Sequence, residues 1–131
     1  MTETTYPTSY DIRFAPELDA VYMKWHGYAT SLQFREGTEL MLRTLIANHA
    51  TKVFADIKDM AIIGMDDQQW LHTDFLPRAI AAGFKAIAII RPYAYFNKVA
   101  VESVSYKVDR SKLAIGFFDN VRSAREWLYG Q

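Results

Sequence analysis

Residues 51–67, TKVFADIKDMAIIGMDD, carry the reading that decides the fold. Val53 to Ile57 is too short and too β-rich for a helix and reads as a buried strand. Asp56 sits at its end, and an unusually apolar loop, Met60 to Met65, follows. Asp66-Asp67-Gln68-Gln69 then supplies a helix start, with Asp66 as cap and Gln69 three residues on. Open α/β sheets bind ligands outside the carboxyl ends of their strands, so Asp56 marks the edge where a site is expected.

On the N-terminal side, Tyr10, Ile12 and Phe14 alternate with Asp11 and Arg13. After the turn at Ala15-Pro16-Glu17, Leu18 to Trp25 resumes the alternation, so the two runs read as a β-hairpin. Thr30 or Ser31 is a natural N-cap for a helix reaching about Asn48. Its buried face is Phe34, Thr38, Met41, Leu42, Leu45 and Ile46, and Glu39 and Arg43 form an outer i,i+4 pair. Residues 1–8 read as a flexible arm, and residues 9–131 as one domain.

On the C-terminal side, Trp70, Leu71, Leu76 and Ile80 populate the buried side of helix two. Pro77 predicts a kink or restart near Thr73, and Gly83 a stop. Phe84 to Ile90 is a nearly continuous apolar run, typical of a parallel strand covered on both faces, and Arg91-Pro92 ends it. Phe96, Val99, Ala100, Ser103 and Val104 outline a third helix. Leu113 to Phe118 is the last strand, with Gly116 inside it predicting a bulge or a close backbone approach. Asp119 then caps a C-terminal helix carrying Val121, Ala124, Trp127 and Leu128. The order β-β-α-β-α-β-α-β-α predicts a single α/β domain. Its central sheet is mostly parallel, with the antiparallel hairpin at one edge and helices packed on it.

Composition narrows the function classes. The 131 residues are 50% apolar and 23% charged, and 15 basic and 15 acidic side chains cancel. No basic stripe marks a nucleic-acid binder. The absence of cysteine removes disulfide, thiol and thiolate-metal chemistry. No apolar run is long enough for stable membrane insertion, and the opening MTETTYPTSYDIRF has no basic region followed by an apolar one. A cytoplasmic protein is the expectation.

The element order, with an acidic residue ending the third strand, resembles the STAS-like domains of the anti-sigma-factor-antagonist fold. The nearest resemblance is to a small stand-alone bacterial group of that superfamily. The segments that carry it are LDAVYMKWHG (18–27), FREGTELML (34–42), VFADIKDM (53–60), DDQQWL (66–71), LPRAIAAGFKAIAIIRP (76–92) and FFDNVRSAREWL (117–128). The resemblance implies a non-catalytic regulatory or binding module. In antagonist-type members a partner kinase phosphorylates a serine at the helix start after this strand. The matching loop here, Lys58 to Asp67, contains neither Ser nor Thr, so that switch is not expected. The fold also resembles CRAL-TRIO domains, which enclose apolar ligands.

No residue pattern points to a catalyst, a metal or a cofactor. His26, His49 and His72 lack ligand spacing, Ser31 and Ser123 read as helix-start residues, and the six glycines form no phosphate loop. The candidates for ligand or partner binding are therefore Asp56, Lys58, Met65 and Trp70, together with Arg91, Tyr93, Tyr95 and Asp119. Asp56 reads either as a structural carboxylate that fixes the following loop or as a ligand-facing group. Arg91 offers its guanidinium fork either to Asp56 or to an anionic ligand. Aromatics make up 15% of the chain; Phe96 and Phe117 read as core, while Tyr93, Tyr95 and Trp70 suit a rim or dimer face. The Met60–Met65 loop reads as a lid, a plug or a dimer contact. A homodimer is expected, acting through a protein partner or a small apolar or anionic ligand. The alternatives are a carrier of an apolar molecule and an enzyme using Asp56 and Arg91.

Overall fold

The computed structural model describes residues 9–131; the arm read at 1–8 lies outside them. Strands β1 (Tyr10–Ala15) and β2 (Ala20–Gly27) pair antiparallel, from Tyr10 opposite Trp25 to Ala15 opposite Ala20. One 3-10 turn, Pro16–Leu18, joins them, and Asp19 closes it in the left-handed region at φ 50°. Helix α1 (Ser31–Ala47) starts at the expected cap: Thr30 Oγ1 accepts from Gln33 N, and Gln33 Oε1 accepts from Thr30 N, a reciprocal capping box. The expected Glu39–Arg43 pair does not form. Glu39 instead pairs with Arg78, which reaches across from another helix and also holds Asp74 at 3.0 Å.

Strand β3 (Lys52–Met60) is longer than the apolar run alone indicates. After a register shift between Lys24 and His26, β2 keeps pairing with it as far as Gly27 opposite Met60. Asp56 therefore lies inside β3, because pairing with β2 carries the ladder past it and satisfies the backbone there.

Three short helical segments then run without a break: α2 (Met65–Trp70), a π-helical turn (Leu71–Phe75) and α3 (Leu76–Ala81). Gly64 is the N-cap of α2 and lends it no side-chain bond, so the Asp66–Gln69 capping box is not made. Asp66 and Asp67 sit in the first turn instead, where carboxylates suit the helix dipole. The break expected from Pro77 takes the form of the π turn, in which Leu76 N donates to Leu71 O. Proline has no N–H to give the preceding turn, and a widened turn absorbs the loss. Phe84 N to Ala79 O (3.0 Å) and Gly83 N to Ile80 O (3.1 Å) close the stretch in a Schellman motif. Gly83 holds φ 112°, which only glycine adopts freely.

The rest follows as β4 (Ala86–Ile90), α4 (Tyr95–Tyr106), β5 (Ala114–Phe118) and α5 (Val121–Tyr129). Asn120, not Asp119, caps α5, accepting from Ser123 N at 2.9 Å. On α4 the buried face is rotated from the expected one. Asn97, Ala100, Val101 and Ser105 are buried, while Phe96 is 74% exposed. Phe96 was thus misread as core: hydrophobicity favoured it, but the helix turns inward on an asparagine whose amide finds partners.

Sheet order is β1-β2-β3-β4-β5, parallel beyond the hairpin. As expected, β4 is flanked on both sides and covered on both faces. Every parallel crossover steps in one direction, so right-handed connections place α1, α2–α3 and α4 together on one face. Among the described residues only α5 covers the other. Two cores result. On the three-helix face Val21, Met23, Trp25, Ala55 and Ile89 meet Phe34, Leu45, Phe75 and Val101. On the α5 face Ala15, Ala20, Phe54, Ala88 and Ile90 meet Ala124 and Leu128. Gly116 pairs regularly with Ala88, so there is no bulge. The close approach is real, however: a Cβ there would stand 2.6 Å from the Phe118 ring and 3.1 Å from Trp127.

Candidate functional site

The strand-end candidates divide between the two faces of the sheet. Asp56 is buried on the α5 side; its Oδ2 lies 3.2 Å from Lys58 Nζ, and its Oδ1 accepts from Lys58 N at 3.3 Å. Residues two apart on a strand share a face, so the pair is a direct outcome of β geometry. The hydrogen bond to Asp56, and then its charge, raise the Lys58 pKa. On the same face burial, followed by the charges of Asp56 and Asp11, raises that of Tyr22.

Arg91 does not reach Asp56. Ile90 is the residue opposite Asp56 in the ladder, and the next residue turns to the other face. There the Arg91 guanidinium lies 5.9 Å from the centre of the Phe117 ring, and its Nη1 is 3.0 Å from Asp119 Oδ1. Arg91, Tyr93, Tyr95 and Asp119, joined by Lys98, line a cleft of about 330 Å³ at the strand ends. Tyr93 and Tyr95 are 80% and 70% exposed. Four of the eight candidates are thus brought together.

Trp70 and Met65 lie elsewhere. Trp70 packs into the three-helix core against Phe34 and Phe75, with the Arg35 guanidinium 5.1 Å from its ring. Met65 is exposed beside a groove of about 380 Å³ between α2 and α4.

An apolar cavity of about 120 Å³ lies inside the three-helix core. Met23, Trp25, Ala55, Ile57 and Ile89 form its sheet wall, and Phe34, Met41, Leu71, Phe75 and Val101 are among its helical side. Two hydroxyls belong to the wall, and each is used within its own helix. Thr38 Oγ1 donates to Phe34 O at 2.7 Å, and Ser105 Oγ donates to Val101 O at 2.8 Å. Among the described residues no buried side-chain nitrogen or oxygen lacks a partner. The space therefore has little to offer water, and its size is close to that of the roughly 150 Å³ apolar cavity that stays dry and takes up benzene.

Met60 and Ile63 contribute to the same wall from the apolar loop, while Ile62 and Met65 face outward. Asn97 fixes that loop. Fully buried, it accepts from Ile63 N at 3.0 Å and donates to Met60 O at 3.3 Å. Gln68 Nε2 adds a bond to Ile63 O at 2.8 Å. The start of α2 is tied to α1 through buried Asp67, which accepts from Ser31 Oγ (2.7 Å) and Arg35 Nε (2.8 Å). Sequence reading placed Asp67 at the helix start but not its bonds to α1, and missed Asn97. The signal for Asn97 was its place on a stripe with Val101, Val104 and Val108, a polar residue at an apolar position that needs a partner.

Among the described residues no group of three His, Cys, Asp or Glu side chains is placed to hold a metal. No helix among them is long and apolar enough to cross a membrane.

No family model matches the chain, and no curated protein matches it. Among solved structures it is similar to an uncharacterised protein of the DUF3478 family from Shewanella loihica PV-4, described as having a SpoIIAA-like fold. The TM-score is 0.62 over 97% of this chain and 99% of that one, at 18% identity. At that identity the likeness establishes the fold alone: a single α/β domain with a five-stranded mixed sheet and a SpoIIAA-like fold.

Proposed function

We propose that the protein is a non-catalytic binding module that takes up a small apolar molecule between its sheet and its three-helix layer. The observation that carries this reading is the 120 Å³ apolar cavity whose hydroxyls are already satisfied. Natural cores are close-packed, and a polar catalyst needs convergent polar groups that this cavity lacks. The separation of Asp56 and Arg91 into ion pairs on opposite faces also favours binding over catalysis. The test is a thermal-shift titration with benzene and 1-hexanol, since a ligand that binds only the folded state raises Tm with concentration. Wild type should be stabilised progressively, and Ala55→Ile, which fills the space, should not respond. An unresponsive wild type contradicts the reading.

A second reading, a homodimer, rests on the exposed run Tyr93, Tyr95, Phe96 and Val99 beside the strand ends. Aromatic side chains of this kind are enriched at protein interfaces. Sedimentation velocity should show a concentration-dependent dimer that Phe96→Lys dissociates. A monomer at every concentration removes this reading.

A further inference from the structure

We propose, building on the cavity reading, that the ligand is an amphiphile: its apolar tail fills the cavity and a carboxylate head lies in the groove between α2 and α4. The two spaces adjoin. Val104 lines both. On the α2–π stretch Leu71 and Phe75 line the cavity, while Gln68 and His72, a helical turn away from them, line the groove. On α4 and the turn that ends it, Val101 and Val108 line the cavity, and Ser103 and Lys107 line the groove. Val104 is the wall the two spaces share, so a chain that runs past its side chain passes from the cavity into the groove.

The chemistry changes sharply across that wall. The cavity offers dispersion contacts alone. The groove gathers the Lys107 ammonium, the His72 imidazole, the Ser103 hydroxyl and the Gln69 amide, and no carboxylate lines it. Among the described residues Lys107 and His72 make no ion pair, so the Lys107 charge and the N–H donors of both remain available to an anion. A neutral head gains less from such a set, and a cationic head is repelled by Lys107. The π turn at Leu71–Phe75 runs along the seam, and such turns are frequent at functional sites.

Titration calorimetry with hexanoate, 1-hexanol and hexylamine, each sharing one tail, tests the assignment. Hexanoate should bind most tightly and hexylamine least. Lys107→Gln should weaken hexanoate about three- to five-fold, the size expected for an exposed charge pair, and leave hexanol unchanged. His72→Gln should act in the same direction and more weakly. Hexanol binding as tightly as hexanoate, or Lys107→Gln weakening all three alike, overturns the head-group assignment and leaves the cavity reading standing. Failure of all three, and of benzene, overturns both.

Discussion

The two faces of the sheet are packed by opposite means. Toward α5 the strands present Ala20, Ala86, Ala88, Ala114 and Gly116, so the helix backbone settles close to β3, β4 and β5. Toward the three-helix layer they present Met23, Trp25, Ile57 and Ile89, large side chains over which α4 stands off from the strands. There α1 comes close to β1 and β2, where Gly37 faces Trp25. The nearest backbone neighbour of α4 on that side is α2 rather than any strand. Small residues thus give a tight seam, and large ones give a layer with a gap of about 120 Å³. An unfilled volume of that size forgoes about 3 kcal/mol.

The largest expected effect strikes the loop over the gap. Asn97→Ala should destabilise by roughly 1–3 kcal/mol for each of the two backbone groups it leaves unsatisfied. Urea unfolding would measure the loss, and hydrogen exchange at the Ile63 amide should accelerate even under stabilising conditions. On the tight face, Gly116→Ala sharpens the contrast. Its Cβ would press on Phe118 and Trp127, so a cost of about 1–3 kcal/mol is expected from overpacking, read as a lower Tm.

Alkaline pH should weaken the α5 face selectively. Lys58 and Tyr22 both have raised pKa values in the folded protein, so folding favours their protonated forms. That stability is fully present below their unfolded values, near pH 10. It is lost as pH rises through the folded values. Stability measured from pH 9 to 11 should fall, and the fall should shrink in Asp56→Asn. The smallest effect belongs to the outer surface: Glu39→Gln, which breaks the pair with Arg78, should cost less than about 1 kcal/mol.

Local signals made most of the fold legible. The apolar run of β4 needed only its own length, the stripe of α1 only its spacing, and Pro77 and Gly83 only the backbone rules of their residue types. Where two neighbours were both acceptable, type alone could not choose, as with Asp119 and Asn120 at the α5 cap. The Asp56–Lys58 pair was within reach of period-two alternation, which also rules out Arg91. The candidate site was less legible. A cavity is a difference between summed side-chain volumes and the spacing of two layers, and no stretch of sequence states that spacing. Asn97 needed knowledge of the loop that would lie over it.

Ala55 and Ala88 form a matched pair: buried alanines on adjacent parallel strands, pointing to opposite faces. The most direct measurement is the change in unfolding free energy for Ala55→Ile and Ala88→Ile under identical conditions. Filling the gap with Ala55→Ile should stabilise by about 0.5–2 kcal/mol, and crowding the α5 seam with Ala88→Ile should cost about 1–3 kcal/mol. Equal destabilisation by both substitutions would contradict the account, because it would mean the three-helix core holds no space to fill.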